Sequence, residues 1–178
     1  MENIYYASFA SSFLQEVFVA STATGVCMVN FLTSEDAFLR DLADAFHGKT
    51  VRDDRKNKGV LGQLRRYLQG TLQQFECPLD LRGTPFQLAV WRALAKIPYG
   101  ETRAYQEMAS AIGHPKAARA VGSANGANRI PLIVPCHRVI ESGGGLGGFG
   151  QGIEAKKTLL AFEQAHRMWT PRSGSRHG

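Results

Sequence analysis

Short apolar segments separated by polar and glycine-containing ones open the chain. Residues 4–9, 13–20 and 25–32 are rich in Val, Phe, Tyr and Ile, with Ser, Thr and Gly between them. This pattern predicts three β-strands in a small antiparallel sheet. Helical spacing follows, and it predicts a helix that is capped by Ser34 and ends at Gly48. Its apolar positions are Phe38, Leu39, Leu42 and Phe46.

A polar segment and a second helix complete the first part of the chain. Residues 49–59 are charged and polar, which predicts an exposed loop. Apolar residues then return at helical spacing and predict a second helix. They are Val60, Leu61, Leu64, Leu68, Leu72 and Phe75. Residues 77–82 predict a short strand or a linker.

A strong helix start marks the second part of the chain. Thr84 and Gln87 have the spacing of a capping box, with Pro85 at the first helical position. The pattern predicts a helix that begins here and is ended by the Pro-Tyr-Gly sequence at residues 98–100.

Two further short helices are predicted downstream. Thr102 is the expected cap of the first, which Gly113 ends, and the second runs from about Pro115 to Gly126. Two helices joined by a tight glycine turn are typical of a helix-turn-helix, the second helix being the DNA reader. The same spacing also occurs in helices that only pack together, and the pattern alone leaves both interpretations open.

Composition predicts an ordinary globular protein. The chain has 178 residues, of which 44% are hydrophobic and 20% charged, enough to bury a core without disulfide staples. Its three cysteines are an odd number without CxxC spacing, which favours a reducing, cytoplasmic compartment. The first residues lack the basic start of a signal peptide, and no apolar run is long enough for a membrane span.

Charge is distributed unevenly along the chain. Residues 1–82 carry 9 Lys or Arg and 10 Asp or Glu, whereas residues 83–178 carry 12 and 5. A basic half favours a polyanionic partner, although a solvated basic face has the same composition. Because the balance changes at Gly83, we predict an N-terminal α/β domain over 1–82, a second domain over 83–169 and a disordered tail over 170–178.

The run Pro135-Cys136-His137-Arg138 carries the most chemistry in the sequence. An apolar segment, expected to be a strand, delivers a thiol flanked by cationic residues. Cationic neighbours lower the pKa of a thiol, as a nucleophile or metal ligand requires, whereas an inert buried cysteine is the alternative. Adjacent residues of a strand face opposite sides, so His137 reaches the thiol only if the backbone turns or a water bridges them.

Several motifs together resemble the O6-alkylguanine-DNA alkyltransferase family. They are PCHRV, FQLAVW at residues 86–91, IPYGET at 97–102 and KAARAVGSANGANRIPLIVPCHRVI at 116–140. The resemblance covers residues 84 to about 165. It implies an α+β protein, with a ribonuclease-H-like sheet domain followed by a mainly helical domain that contains the helix-turn-helix.

The resemblance implies a suicidal DNA repair reaction. The family's cysteine, here Cys136, takes the alkyl group from O6 of guanine as a stable thioether, so each molecule acts once. His137 then acts through a bound water, and Glu163 orients that histidine. Tyr105 donates to N3 of the base and so improves the leaving group. No cofactor is implied.

Contacts with DNA are also implied residue by residue. Arg119 matches the arginine that replaces the extruded nucleotide in the base stack, and Asn128 matches the asparagine hinge between recognition helix and active site. Gln106, Ala118 and Ser142 match positions that face DNA. The family binds double-stranded DNA through the minor groove, whose degenerate code suits sequence-tolerant repair. We expect a monomer without membrane association.

Two residues depart from the family pattern. Phe149 stands where a tyrosine is usual, within a glycine-rich loop, and Glu141 places a carboxylate near DNA. Both put the range of alkyl groups in question. Some members hold a structural zinc in the first domain. Here only Cys27, Cys77 and His47 are available in that half, so we predict no metal.

Two other classes of function remain as alternatives. A non-catalytic lesion sensor of the same fold would replace the cysteine, commonly with tryptophan, and position 136 is cysteine. A cysteine hydrolase using Cys136, His137 and Asn128 needs direct contact between nucleophile and base and an oxyanion hole, neither of which the spacing predicts.

Overall fold

The computed structural model describes residues 1–167. The N-terminal part contains a four-stranded sheet and two helices. Its strands are β1 (Glu2–Ala10), β2 (Glu16–Ser21), β3 (Val26–Phe31) and β4 (Gly48–Arg52), and its helices are α1 (Glu35–Ala45) and α2 (Lys58–Leu68). The sheet order is β3-β2-β1-β4. The predicted antiparallel pairing holds for β1, β2 and β3, whereas β4 pairs with β1 in parallel.

Strand β4 corrects the loop predicted over residues 49–59. It lies at the edge of the sheet, where charged side chains reach solvent and discourage further strand pairing. That position explains why its sequence lacks the apolar signal of a strand. Gly48 allows the close pairing with β1, since a Cβ there would lie 2.6 Å from the carbonyl oxygen of Glu2.

Both faces of the sheet are covered. On β2, Val17 and Val19 face one core and Phe18 and Ala20 face the other, as the twofold alternation of strand side chains requires. Helix α1 covers the second face. The first face joins α2 and the helices of the second half in one continuous core, so the two halves of the chain share their packing.

The second half is mainly helical. Its helices are α3 (Pro85–Leu94), α4 (Tyr105–Ala111), α5 (Ala118–Gly126) and α6 (Ile153–His166). A two-residue strand, β5 (Arg103–Ala104), pairs in parallel with β6 (Val139–Ile140). The expected capping box is present, with Thr84 and Gln87 each accepting from the other's backbone N–H. The indole of Trp91 donates to the Ala124 carbonyl at 2.8 Å and ties α3 to α5.

Several predicted boundaries are wrong. Helix α2 ends at Leu68, seven residues early, because Gly70 turns the chain in a left-handed conformation and abuts His166. Residues 77–82 form a linker beside β3. Helix α4 is capped at Ala104, whose N–H donates to Glu107, and not by Thr102. The tail predicted over 170–178 and the last two residues of the predicted second domain lie outside the described residues.

Candidate active site

Cys136 lies at the start of a turn and not on the predicted strand. Residues Cys136–Arg138 form one 3-10 turn directly before β6. The Asn125 side chain donates to the Cys136 carbonyl at 3.2 Å, and the Cys136 N–H donates to Val134 at 2.8 Å. The turn changes the direction of consecutive side chains, so the opposite-face constraint expected for His137 does not apply.

Asn128 ties together the segment that leads to this turn. Its Oδ1 accepts from the Ile130 N–H at 3.0 Å, and its Nδ2 donates to the Val134 carbonyl at 2.9 Å. The bond to Val134 spans Leu132, which lies in the left-handed region at φ 72°. The side chain therefore supplies polar partners that an irregular buried backbone would otherwise lack.

The thiol of Cys136 is protonated in the resting structure. Its residue is only 4% exposed, and burial raises the pKa of the thiol to about 11, although Asn128 and Lys156 act in the opposite direction. The low thiol pKa expected from the cationic neighbours is therefore not found, because burial outweighs the lowering effect of Lys156. Arg138 follows closely in sequence, but its guanidinium binds Glu163 and is not available to the sulfur.

His137 and Glu163 form a buried pair behind the cysteine. Both are fully buried, and His137 Nε2 lies 2.7 Å from Glu163 Oε1. Donors around Glu163 hold the pKa of its carboxyl far below the usual range, so it is ionised and only accepts. Burial lowers the pKa of His137, so the ring is neutral with its proton on Nε2. Nδ1 is then a base, and it has no protein partner within residues 1–167.

Glu163 accepts hydrogen bonds from four residues in three parts of the chain. Oε1 accepts from Tyr67 at 2.6 Å, from His137 at 2.7 Å and from Arg138 Nη2 at 2.8 Å. Oε2 accepts from Arg138 Nε at 2.9 Å and from the Gly100 N–H at 3.2 Å. A buried carboxylate this well satisfied keeps one orientation and one charge state.

A cavity of about 650 Å³ opens over the cysteine. Five of the nine residues singled out from the sequence line it: Tyr105, Ala118, Arg119, Asn128 and Cys136. The cavity is also bordered by the glycine-rich loop, including Phe149, and by Glu141. Helices α4 and α5 therefore place Tyr105, Ala118 and Arg119 around the same cavity as the thiol.

The other four residues lie elsewhere. His137 and Glu163 are buried beneath the cavity floor. Gln106 is exposed and donates to the Pro115 carbonyl, so it braces the turn between α4 and α5. Ser142 is exposed in the turn after β6 and does not line the cavity.

Tyr105 is fitted closely against the glycine-rich loop. A Cβ at Gly147 would lie 2.8 Å from the Tyr105 hydroxyl, and Gly147 has φ 69°. Only glycine combines this backbone conformation with this approach. Burial raises the pKa of Tyr105, so its hydroxyl keeps its proton and can act as a donor.

Sequence reasoning missed Lys156 and Tyr67. Lys156 is fully buried, and its ammonium donates to the Val139 carbonyl at 2.6 Å and the Gly148 carbonyl at 3.2 Å, fixing the loop over the site. The place of this lysine in the sequence, next to Ala155 and close to the apolar positions of α6, could have indicated that it is buried. Tyr67 lies among the apolar residues of α2, where nothing indicates a partner 96 residues away.

Neither a metal cluster nor a membrane span is found in the part of the chain that the structure describes. Within residues 1–167, no three His, Cys, Asp or Glu side chains lie close enough to hold a metal ion. No helix in that range is both long and apolar enough to cross a membrane.

Fold and site together define a two-domain protein that places a buried cysteine at a cavity beside two short helices with the arrangement of a helix-turn-helix. Family models agree with both parts. Residues 85–165 match the DNA binding domain of 6-O-methylguanine DNA methyltransferase, and residues 4–81 match its ribonuclease-like domain. The chain belongs to the methylated-DNA–protein-cysteine methyltransferase family, also called the O6-alkylguanine-DNA alkyltransferases.

Similar proteins cover most of the chain. A methylated-DNA–protein-cysteine methyltransferase of Methanosarcina acetivorans is 41% identical, over 90% of this chain and 98% of the relative. The inducible one of Bacillus subtilis is 41% identical, over 83% of each. The crystal structure of Mycobacterium tuberculosis OGT in complex with DNA has 41% identity and a TM-score of 0.77, over 91% of this chain and 94% of that one.

Higher identity is confined to a shorter stretch. A relative from Mycolicibacterium paratuberculosis is 57% identical over 108 residues, which is 61% of this chain and 66% of the relative. That alignment spans slightly less than two thirds of the relative's length. The fold and the family are established over nearly the whole chain by the longer alignments, which cover 90% and 91% of it.

Proposed function

We propose that the protein repairs O6-alkylguanine in DNA by moving the alkyl group irreversibly to its own Cys136. The observation that carries this function is the buried thiol at the floor of a cavity, with a neutral histidine and an ionised glutamate fixed behind it. Cys136 Sγ attacks the alkyl carbon, so a sulfur–carbon bond forms while the carbon–O6 bond breaks. The product thioether is stable, and each molecule acts once.

Protons balance across the reaction. The thiol proton passes to Nδ1 of His137 through a water, since that buried nitrogen is the basic atom of the ring. Glu163 stabilises the imidazolium that forms. Tyr105 donates a hydrogen bond to N3 of the departing guanine. The guanine anion then takes one proton from solvent and the imidazolium releases the thiol proton to solvent, so the protons balance.

The base reaches the thiol by leaving the duplex. Cys136 lies within a cavity, so a stacked base is out of its reach and must be extruded. Arg119 is exposed beside the cavity, a position that suits a side chain filling the gap in the stack. Ala118, near the start of α5, lets the helix approach the minor groove closely, and Asn128 joins that helix to the active-site turn.

Finer features of the partner belong to the same proposal. The substrate is double-stranded DNA, read from the minor groove by a monomer, with Gln106 and Ser142 as outer contacts. The domain boundary at Gly83 and the cytoplasmic, reducing compartment also remain predictions. Phe149 and Glu141 border the cavity, so we expect them to influence which alkyl groups are accepted.

Intact-protein mass spectrometry after mixing with a duplex that carries one O6-methylguanine tests the function. We expect a gain of one methylene, mapped to Cys136 and saturating at one per protein. Cys136→Ala removes the transfer and leaves DNA binding largely intact, whereas the matched control Cys77→Ala keeps both. An unchanged mass with demonstrable binding would favour the lesion sensor, and repeated turnover would favour the hydrolase.

A further inference from the structure

Tyr67 brings a side chain of the sheet domain into the relay. It lies on α2, is fully buried, and donates its hydroxyl proton to Glu163 Oε1 at 2.6 Å. The proposed reaction gives this residue no task. A buried, charge-assisted hydrogen bond to the carboxylate that orients the histidine is nevertheless placed where it can affect the chemistry.

Packing fixes the position of the hydroxyl. The Tyr67 ring lies 5.4 Å from the ring of Phe75, 6.0 Å from that of Tyr99 and 6.2 Å from that of Phe162, between ring centroids. Close behind α2, Gln73 donates to the His166 carbonyl at 3.2 Å and holds the end of α6. The hydroxyl therefore cannot move away from Glu163 without disturbing the core.

Arg138 already sets the plane of the carboxylate. It binds Oε1 through Nη2 and Oε2 through Nε, which fixes both oxygens. Tyr67 is therefore not needed to stop the group from rotating. Its hydroxyl instead shares Oε1 with His137, and a donor that stabilises the negative charge of this oxygen reduces how strongly that charge favours an added proton on the imidazole.

We propose that Tyr67 is a positioning residue of the alkyl-transfer relay, whose hydroxyl occupies the Glu163 oxygen that also holds His137. By using part of that oxygen's capacity to accept hydrogen bonds, the hydroxyl limits how strongly Glu163 favours a second proton on the imidazole. The histidine then stays neutral, as a base must. This inference rests on the proposed function, because it concerns the same reaction.

The other charged groups around the pair act in known directions. Arg138 and Lys156 both disfavour a positive charge on His137, and Glu163 favours it. Tyr99 faces Glu163 from the loop after α3 and contributes no charge, because burial raises the pKa of its hydroxyl to about 12. Burial and Glu163 also raise the pKa of Tyr67 well above its ordinary value, so its hydroxyl remains a donor.

The test is the pH dependence of single-turnover transfer by the full chain. The rate of wild type falls as His137 is protonated, at a midpoint below the ordinary histidine value of 6.5 because its pKa is lowered. In Tyr67→Phe, Oε1 loses a donor and favours the imidazolium more. We expect the midpoint to rise by about half a pH unit, which lowers the rate well below it about threefold.

Tyr99→Phe is the matched control. It removes a buried hydroxyl that has no hydrogen-bond partner among the described residues and keeps a ring next to Tyr67. We expect its midpoint to equal that of wild type. A loss of folding stability alone lowers the rate without moving the midpoint, so the profile separates positioning from packing.

A fluorinated tyrosine at position 67 gives a second measurement if Tyr67→Phe fails to fold. The more acidic phenol donates more strongly, and the midpoint should move down. The inference is overturned if the midpoint is unchanged in both variants, if Tyr99→Phe moves it equally, or if wild type shows no acid limb. A wild type that transfers no methyl group would instead contradict the proposed function.

Discussion

Glu163→Gln should destabilise the protein strongly, because it leaves a buried guanidinium without its counter-charge. Glu163 is fully buried, and Arg138 is only 5% exposed. The amide has the volume of the carboxyl, so packing is unchanged. Its nitrogen, however, is a donor and would face the Gly100 N–H or the guanidinium, which are donors themselves.

The size of this destabilisation follows from the ion pair that Glu163→Gln removes. Breaking a buried ion pair by removing one charge costs about 3–5 kcal/mol, chiefly because the remaining charge is unpaired. For a chain of this length, each kcal/mol lowers the melting temperature by roughly 2–4 °C. Glu163→Gln should therefore melt about 6–20 °C below wild type.

The effect has a definite pH dependence. Donors depress the pKa of Glu163 in the folded protein below its ordinary value of 4.5. The stability that the ionised group contributes is therefore complete above that value, and it is lost as pH falls toward the folded pKa. The difference in folding stability between wild type and Glu163→Gln should therefore become smaller below about pH 4.

Urea unfolding and thermal melting at several pH values measure this difference. Glu154→Gln is the matched control, since Glu154 lies on the same helix, pairs with Lys157 at the surface and is highly exposed. We expect this control to melt like wild type. The reasoning is refuted if Glu163→Gln melts at the same temperature as Glu154→Gln. It is also refuted if the stability that Glu163→Gln loses relative to wild type increases as the pH is lowered.

Three further predictions concern the cavity. Iodoacetamide should modify Cys136 of the free protein slowly at neutral pH, at a rate that still rises toward the thiol pKa of about 11, and a plateau by about pH 8 would contradict this. Arg119→Ala should weaken repair in duplex DNA far more than transfer from the free base, and equal losses would mean that Arg119 does not support base extrusion. Gly147→Ala should displace the Tyr105 hydroxyl and slow the transfer. Gly148→Ala is the control, because a Cβ there meets no atom within 4 Å, and it should leave the rate unchanged. Equal rates for the two variants would count against the role of Tyr105.

Local signals predicted much of the fold. The capping box at Thr84 and Gln87 depends on residues three apart, and the helical stripe around Phe38 on residues within two turns, so both are legible in sequence. Strand β4 was missed because an edge strand needs little apolar character. Gly70 ends α2 even though Leu72 and Phe75 continue its apparent period and still pack on the core.

The candidate site was less legible where it depends on distant pairs. Cys136 is identifiable from its motif, but its burial is a property of the folded chain. Arg138 is two residues from Cys136 in sequence, yet its guanidinium forms an ion pair with Glu163 and does not act on the thiol. Proximity along the chain therefore gave the wrong direction for the pKa of the thiol, and only tertiary structure shows where each charge is used.

A protonated resting cysteine suits a protein that acts once. A thiolate kept permanently at the cavity floor would react with any small electrophile or oxidant that entered, and every such event would consume a molecule. Burial instead holds the thiol neutral, and burial, together with the charges of Arg138 and Lys156, leaves His137 uncharged despite the opposite effect of Glu163. In the proposed reaction, neutral His137 is ready to accept a proton while Cys136 is still a thiol, so the thiolate would form only when an alkylated guanine fills the cavity. If Tyr67 keeps His137 neutral as we propose, the sheet domain takes part in the reaction as well as in the fold.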